Sequence, residues 1–95
     1  MIDKIYDLLE NMEEELEDAE KYAVHAVECA RHHSPYKTSY IALAEDELKH
    51  FERLSAMLKE HTDIGEEMKH YVHRKHTEML KEHGNIKFLL SEAQA

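Results

Sequence analysis

The chain is short of everything that interrupts a helix. Its 95 residues include one proline, Pro35, and two glycines, Gly65 and Gly84. These residues break helices and form tight turns most strongly, so long uninterrupted helices are expected. One cysteine, Cys29, excludes an internal disulfide and leaves no second thiol for a zinc or thiol-redox motif. That usage suits a reducing, cytoplasmic setting, with Cys29 serving as helix packing. Tryptophan is absent. No apolar run approaches the roughly 20 residues that span a bilayer, and Met1-Ile2-Asp3-Lys4 does not read as a signal peptide. Positive charge is also scarce. Twelve Lys and Arg face 21 Asp and Glu, a formal charge of −9. Phosphates would be repelled by most of such a surface, so neither nucleic acid nor an anionic membrane is an expected partner.

What remains is rich in Glu, Lys, Leu, Ala and His, the composition of one helical domain over residues 1–95. Ile5, Leu8, Leu9, Met12, Leu16, Ala19, Ala23, Ala26 and Ala30 recur at three- and four-residue steps, predicting a helix over about 3–31. It should stop at His32-His33-Ser34-Pro35, where Ser34 suits an N-cap and Pro35 the first helical position. A second helix is expected over about 35–60, with Tyr40, Leu43, Ala44, Phe51, Leu54, Met57 and Leu58 inward. Thr62 to Glu66 should end it and restart the chain, Asp63 and Glu66 having the spacing of a capping box. A third helix is expected over about 65–83, interrupted by Gly84-Asn85 before a short tail helix at 86–92.

The expected fold class is therefore all-α, a long antiparallel helical hairpin plus a third helix. A helix of about 29 residues is roughly 43 Å long, whereas a compact chain of this size has a radius of gyration of about 12 Å. The first helix then outreaches its own monomer's core. Two copies are expected to dimerise into a four-helix bundle.

Charges on apolar stripes mark the candidate site, because burying an unpaired carboxylate is very costly. Glu47-Leu48-Lys49-His50 spells Glu-x-x-His, but with 16 Glu and 9 His chance alone yields about one or two such pairs. The chain has two, Glu47/His50 and Glu67/His70. On a helical wheel Glu47 falls near the centre of the second helix's arc, in line with Tyr40 and Leu54. His50 sits about 60° aside, with Leu43 and Met57. Glu67, His70 and His73 lie off the third helix's arc, and His76 and His83 at its rim. That histidine cluster reads as a solvated face open to adventitious nickel or zinc. On the first helix Glu13 and Glu17 point away from the arc and Glu20 is at one edge. Glu15 is at the other, aligned with Leu8, Tyr22 and Ala26.

Glu15-Leu16-Glu17-Asp18-Ala19-Glu20-Lys21-Tyr22 followed by Glu47-Leu48-Lys49-His50 resembles the Glu-Leu-Glu-x4-Tyr and Glu-x-x-His pattern of the encapsulated ferritins. These belong to the ferritin-like di-iron carboxylate proteins, whose bundles hold two metals between Glu and Glu-x-x-His residues. Tyr22-Ala23-Val24-His25-Ala26 with Asp46-Glu47-Leu48-Lys49-His50 is also similar to the bacterioferritin and rubrerythrin group. The resemblance covers about residues 8 to 60. It implies a dimer-built ferritin-like four-helix bundle, with Glu15, Glu47 and His50 as metal ligands and Glu17 as an acid of a second metal position. Tyr22 is implied as the catalytic neighbour. It also implies a di-nuclear iron cofactor and ferroxidase chemistry or iron sequestration, with a homodimer or higher homo-oligomer as the working form. An encapsulin shell is a further partner that it implies, but residues 86–95 do not resemble the Gly/Leu/Ile-rich tail that targets such cargo.

The residues themselves fit that donor set. Two Glu and one His per chain give four carboxylates and two imidazoles per dimer, which suits Fe or Mn, with Zn a substitute. Two other readings stay open: a metal-free helical interaction or assembly module of the kind phages encode, and a zinc or iron buffer without redox turnover.

Overall fold

Three long helices form all the regular structure of the computed structural model: α1 (Ile2–Arg31), α2 (Lys37–Leu58) and α3 (Glu66–Gln94). It describes residues 2–61 and 63–95, with only the backbone of Ile2; Thr62, within the predicted second stop, lies outside them. The helices run up, down and up. Tyr6 near the start of α1 meets Tyr71 near the start of α3 edge-on, with ring centroids 5.8 Å apart. α2 runs against α3, so Ser55 hydrogen-bonds His76 while the earlier Glu52 lies 3.0 Å from the later His83.

The apolar series read on α1 is its buried stripe, from Ile5 and Leu9 through Met12 and Leu16 to Ala19, Ala23 and Ala26. The alanines let the upper half of α2 approach closely, while Met12, Leu16 and Phe51 fill the lower half. α1 ends in a Schellman turn. The amide of Ser34 donates to Cys29 O at 2.8 Å and that of His33 to Ala30 O at 3.4 Å, with His33 in the left-handed region at φ 55°. Ser34 is spent on that turn. Its Oγ accepts from the Tyr36 amide at 3.2 Å, and α2 begins at Lys37 rather than at Pro35. No side chain caps α3 either: its N-cap is Gly65, and the capping box expected of Asp63 and Glu66 does not form.

Two corrections shape the molecule. α3 runs unbroken through Gly84-Asn85, and there is no separate tail helix. Met79, Ile86, Leu90 and Ala93 are all buried and stay in one helical phase across the glycine. Continued burial outweighs the ~1 kcal/mol that a mid-helix glycine costs. α3, at 29 residues, is consequently as long as the 30-residue α1 and lies along it. The molecule is a rod of 51 × 17 × 15 Å with a radius of gyration of 15.3 Å. Helix length alone is thus no reason for a second copy, since the monomer's core continues to both ends.

The second correction is the rotation of α2. Its buried line is Ile41, Ala44, Leu48, Phe51, Ser55 and Leu58. Leu43 and Met57, expected inward, are 42% and 46% exposed. Glu47 therefore lies on the flank of the buried stripe and not at its centre.

Candidate metal centre

The α1–α2 hairpin has two flanks, and α3 covers one of them. The covered flank carries Tyr6 of α1 and Glu52 and Ser55 of α2, which meet Tyr71, His83 and His76. The other carries Glu15, Tyr22, Tyr40, Leu43, Glu47, His50 and Met57. The antiparallel crossing of α1 and α2 brings the middle of one helix beside the middle of the other, so Glu15 meets Glu47 and His50.

Their atoms converge. His50 Nδ1 lies 3.3 Å from Glu15 Oε2 and 3.6 Å from Glu47 Oε1. One donor atom from each of the three falls within 4.8 Å of the others, the one such group among the described residues. Ligand atoms about 2.1 Å from an octahedral ion are separated by roughly 3 Å when adjacent and 4.2 Å when opposite. The two distances from His50, 3.3 and 3.6 Å, fall in that interval. Glu15 and Glu47 are mostly covered, with 26% and 20% of their side chains exposed, whereas His50 is 54% exposed. The cluster is thus half built into the hairpin and half open.

Electrostatics make the acids a poor place for two charges. Burial first, then a hydrogen bond and repulsion from Glu15, raise the Glu47 carboxyl to about 7; His50 opposes this and Asp18 adds to it. Near neutral pH the free cluster tends to keep one proton between its carboxylates. A divalent cation would replace that proton with two positive charges.

The other residues singled out from sequence fall elsewhere. Glu17 is not part of the cluster. It lies on the opposite flank of α1, lining a cleft with Glu13, Glu20, Glu78 and Glu82 against α3. Burial and these same acids push the Glu82 carboxyl upward. Tyr22 is two turns from Glu15 and stacks on Tyr40 with ring centroids 6.3 Å apart, while His25 stacks on Tyr40 at 5.1 Å. The two phenols and the imidazole form an aromatic cluster of their own, about two turns along the hairpin from the carboxylates. Glu67 and His70 are exposed, as their positions on the wheel predicted. His83, at the rim, tilts against Phe51 with centroids 5.4 Å apart.

Asp18 was passed over in the sequence. It follows Glu15 by three residues on the same flank, which is the spacing that lets its charge reach Glu47. Comparisons of the chain with family models, curated proteins and solved structures return no match.

Proposed function

We propose that two copies of the chain bind a pair of metal ions, iron by preference, between their Glu15, Glu47 and His50 residues, and that they oxidise or sequester Fe(II) there. One observation carries the reading. Tyr36, Tyr40, Leu43, Glu47, His50, Leu54 and Met57 follow alternating four- and three-residue steps along α2. That is the spacing of a seam that packs against another helix. The seam lies on the flank α3 leaves uncovered, Leu43 and Met57 are exposed on it, and the donors sit between them.

A second copy facing this seam across a two-fold axis would cover the apolar ends and double the donor set. Four carboxylates and two imidazoles then surround the axis, a set suited to Fe or Mn. In this arrangement Glu47, Glu15 and His50 of both copies would hold the ions. Fe(II) is the substrate and reductant, and dioxygen or peroxide the oxidant. Tyr22 and Tyr40 stack on each other about two turns further along the same flank. The resemblance of Glu15 to Tyr22 and Glu47 to His50 to the encapsulated ferritins supports the same assignment. The seam alone would serve a metal-free assembly equally well, and only metal content separates the two.

The test is elemental analysis and solution mass of untagged protein, with Fe(II) oxidation followed by absorbance after aerobic mixing. A dimer or larger species that oxidises Fe(II) faster than buffer is expected. Glu47→Ala should abolish that rate with helix content unchanged, and Glu13→Ala should leave it intact. A monomer without metal, no faster than buffer, rejects the proposal. A metal-free dimer leaves the assembly reading.

A further inference from the structure

Away from the metal cluster, the junction of α2 and α3 forms a second, open cleft of about 310 Å³. Its position follows from the turn after Leu58, which brings the end of α2 beside the first turns of α3. The polar side chains around it are Lys59, His61, Lys69, His73 and His76, and its floor is Leu58, Ile64 and Val72. Among the described residues, the lining holds no acid, on a chain with 21 of them. Glu66 reaches Lys69 from outside the cleft at 3.7 Å, a surface pair of little strength.

One imidazole is built in. His76 is half-buried and its Nε2 is held by the hydroxyl of the buried Ser55 on α2. With Nε2 occupied by Ser55, the ring's orientation is set. Burial first, and then the charges of Lys59 just past α2 and His73 on α3, push His76 below the usual histidine range. Cationic groups are therefore crowded here with no acid in the lining.

A metal ion is the other ligand that three histidines suggest. Two lysines in the lining repel it, and His61, His73 and His76 are not brought into one ligand group. Nitrogen donors over a hydrocarbon floor fit an anion that carries an apolar body.

From this we infer that the cleft between the end of α2 and the start of α3 binds a small organic carboxylate. The carboxylate lies among Lys59, Lys69 and the histidines, and its hydrocarbon part rests on Leu58 and Val72. The site is independent of Glu15, Glu47 and His50. Binding supplies a counter-charge, so it raises the midpoint at which His76 takes up its proton.

Octanoate is the probe, titrated into the full chain while the histidine imidazoles are followed by NMR. Saturable shifts confined to His61, His73 and His76 are expected, with an upward move of the His76 midpoint. Lys59→Gln and Lys69→Gln should each weaken octanoate about three- to ten-fold. Val72→Ser should weaken octanoate and leave inorganic phosphate unchanged. The inference fails if no shift saturates, or if phosphate binds as tightly as octanoate. Stoichiometric Zn(II) capture by these histidines, undisturbed by octanoate, also overturns it. Circular dichroism of each variant confirms that the lost affinity is not lost folding.

Discussion

Glu47 is the residue whose protonation links stability to metal binding. Its carboxyl is raised from 4.5 to about 7 by burial and by Glu15, so the folded chain holds a proton that the unfolded chain releases. The stabilisation this proton provides is complete below about pH 4.5 and is lost as pH rises towards 7. Metal-free Glu47→Gln should accordingly be more stable than the parent at pH 8, by on the order of 1–2 kcal/mol. The advantage should shrink towards pH 5. Paired thermal melts in chelator at both pH values measure it, and equal differences at the two would refute the assignment. Metal binding runs the other way, since the ion must displace the proton. Melting shifts with Mn(II) or Zn(II) should be larger at pH 8 than at pH 6 and absent in Glu47→Ala with His50→Ala. They should persist when His70, His73 and His76 are all changed to Ala, each variant being compared with and without metal.

At the scale of the helix, two positions hold stability in reserve. His33 occupies a left-handed conformation that an L-residue adopts at a cost of about 1–2 kcal/mol and that glycine adopts freely. His33→Gly should stabilise the chain by about 1 kcal/mol, because the Schellman hydrogen bonds to Cys29 and Ala30 are unchanged. Gly84 is the converse case. A Cβ there meets nothing within 4 Å, so Gly84→Ala should add about 1 kcal/mol of helix propensity. Urea unfolding of both and of the double variant checks the values, which should be additive at this separation. No gain at Gly84 would mean that the helix is locally bent there. Gly84 also marks where sequence reasoning gave a breaker too much weight. The apolar residues at 79, 86, 90 and 93 already kept one phase across it, and that phase decided the helix.

Over the whole molecule the question is what meets the uncovered flank of the hairpin. If the seam faces a second copy, Leu43→Glu with Met57→Glu should convert the assembly to monomers in sedimentation experiments. Both residues are exposed and neither belongs to the buried stripe, so helix content should be unchanged. Metal-induced stabilisation should disappear in the same variant although every ligand is present, because each chain then offers only three donors. A dimer that survives both substitutions would locate the contact elsewhere. Charge supports the need for a metal at such a contact. Two chains of formal charge −9 repel one another, and ions between the carboxylates offset that repulsion locally.

The sequence by itself determined the all-helical class, the phase of α1 and the residues able to act as donors. Scarce glycine and proline left few places to turn, of which the one at Gly84 is not used, and α1 has a single apolar stripe, so its buried face was unambiguous. α2 is different. It carries two interleaved lines at the same spacing, Ile41 to Leu58 and Tyr36 to Met57, and both contain enough apolar residues to be buried. Periodicity cannot choose between them. Only the docking of α1 and of a full-length α3 decided that Ile41, Ala44, Leu48 and Phe51 go inside. That choice moved Glu47 from the centre of a stripe to its flank, against Glu15 and His50, while the docking of α3 covered the other flank of α1, where Glu17 lies.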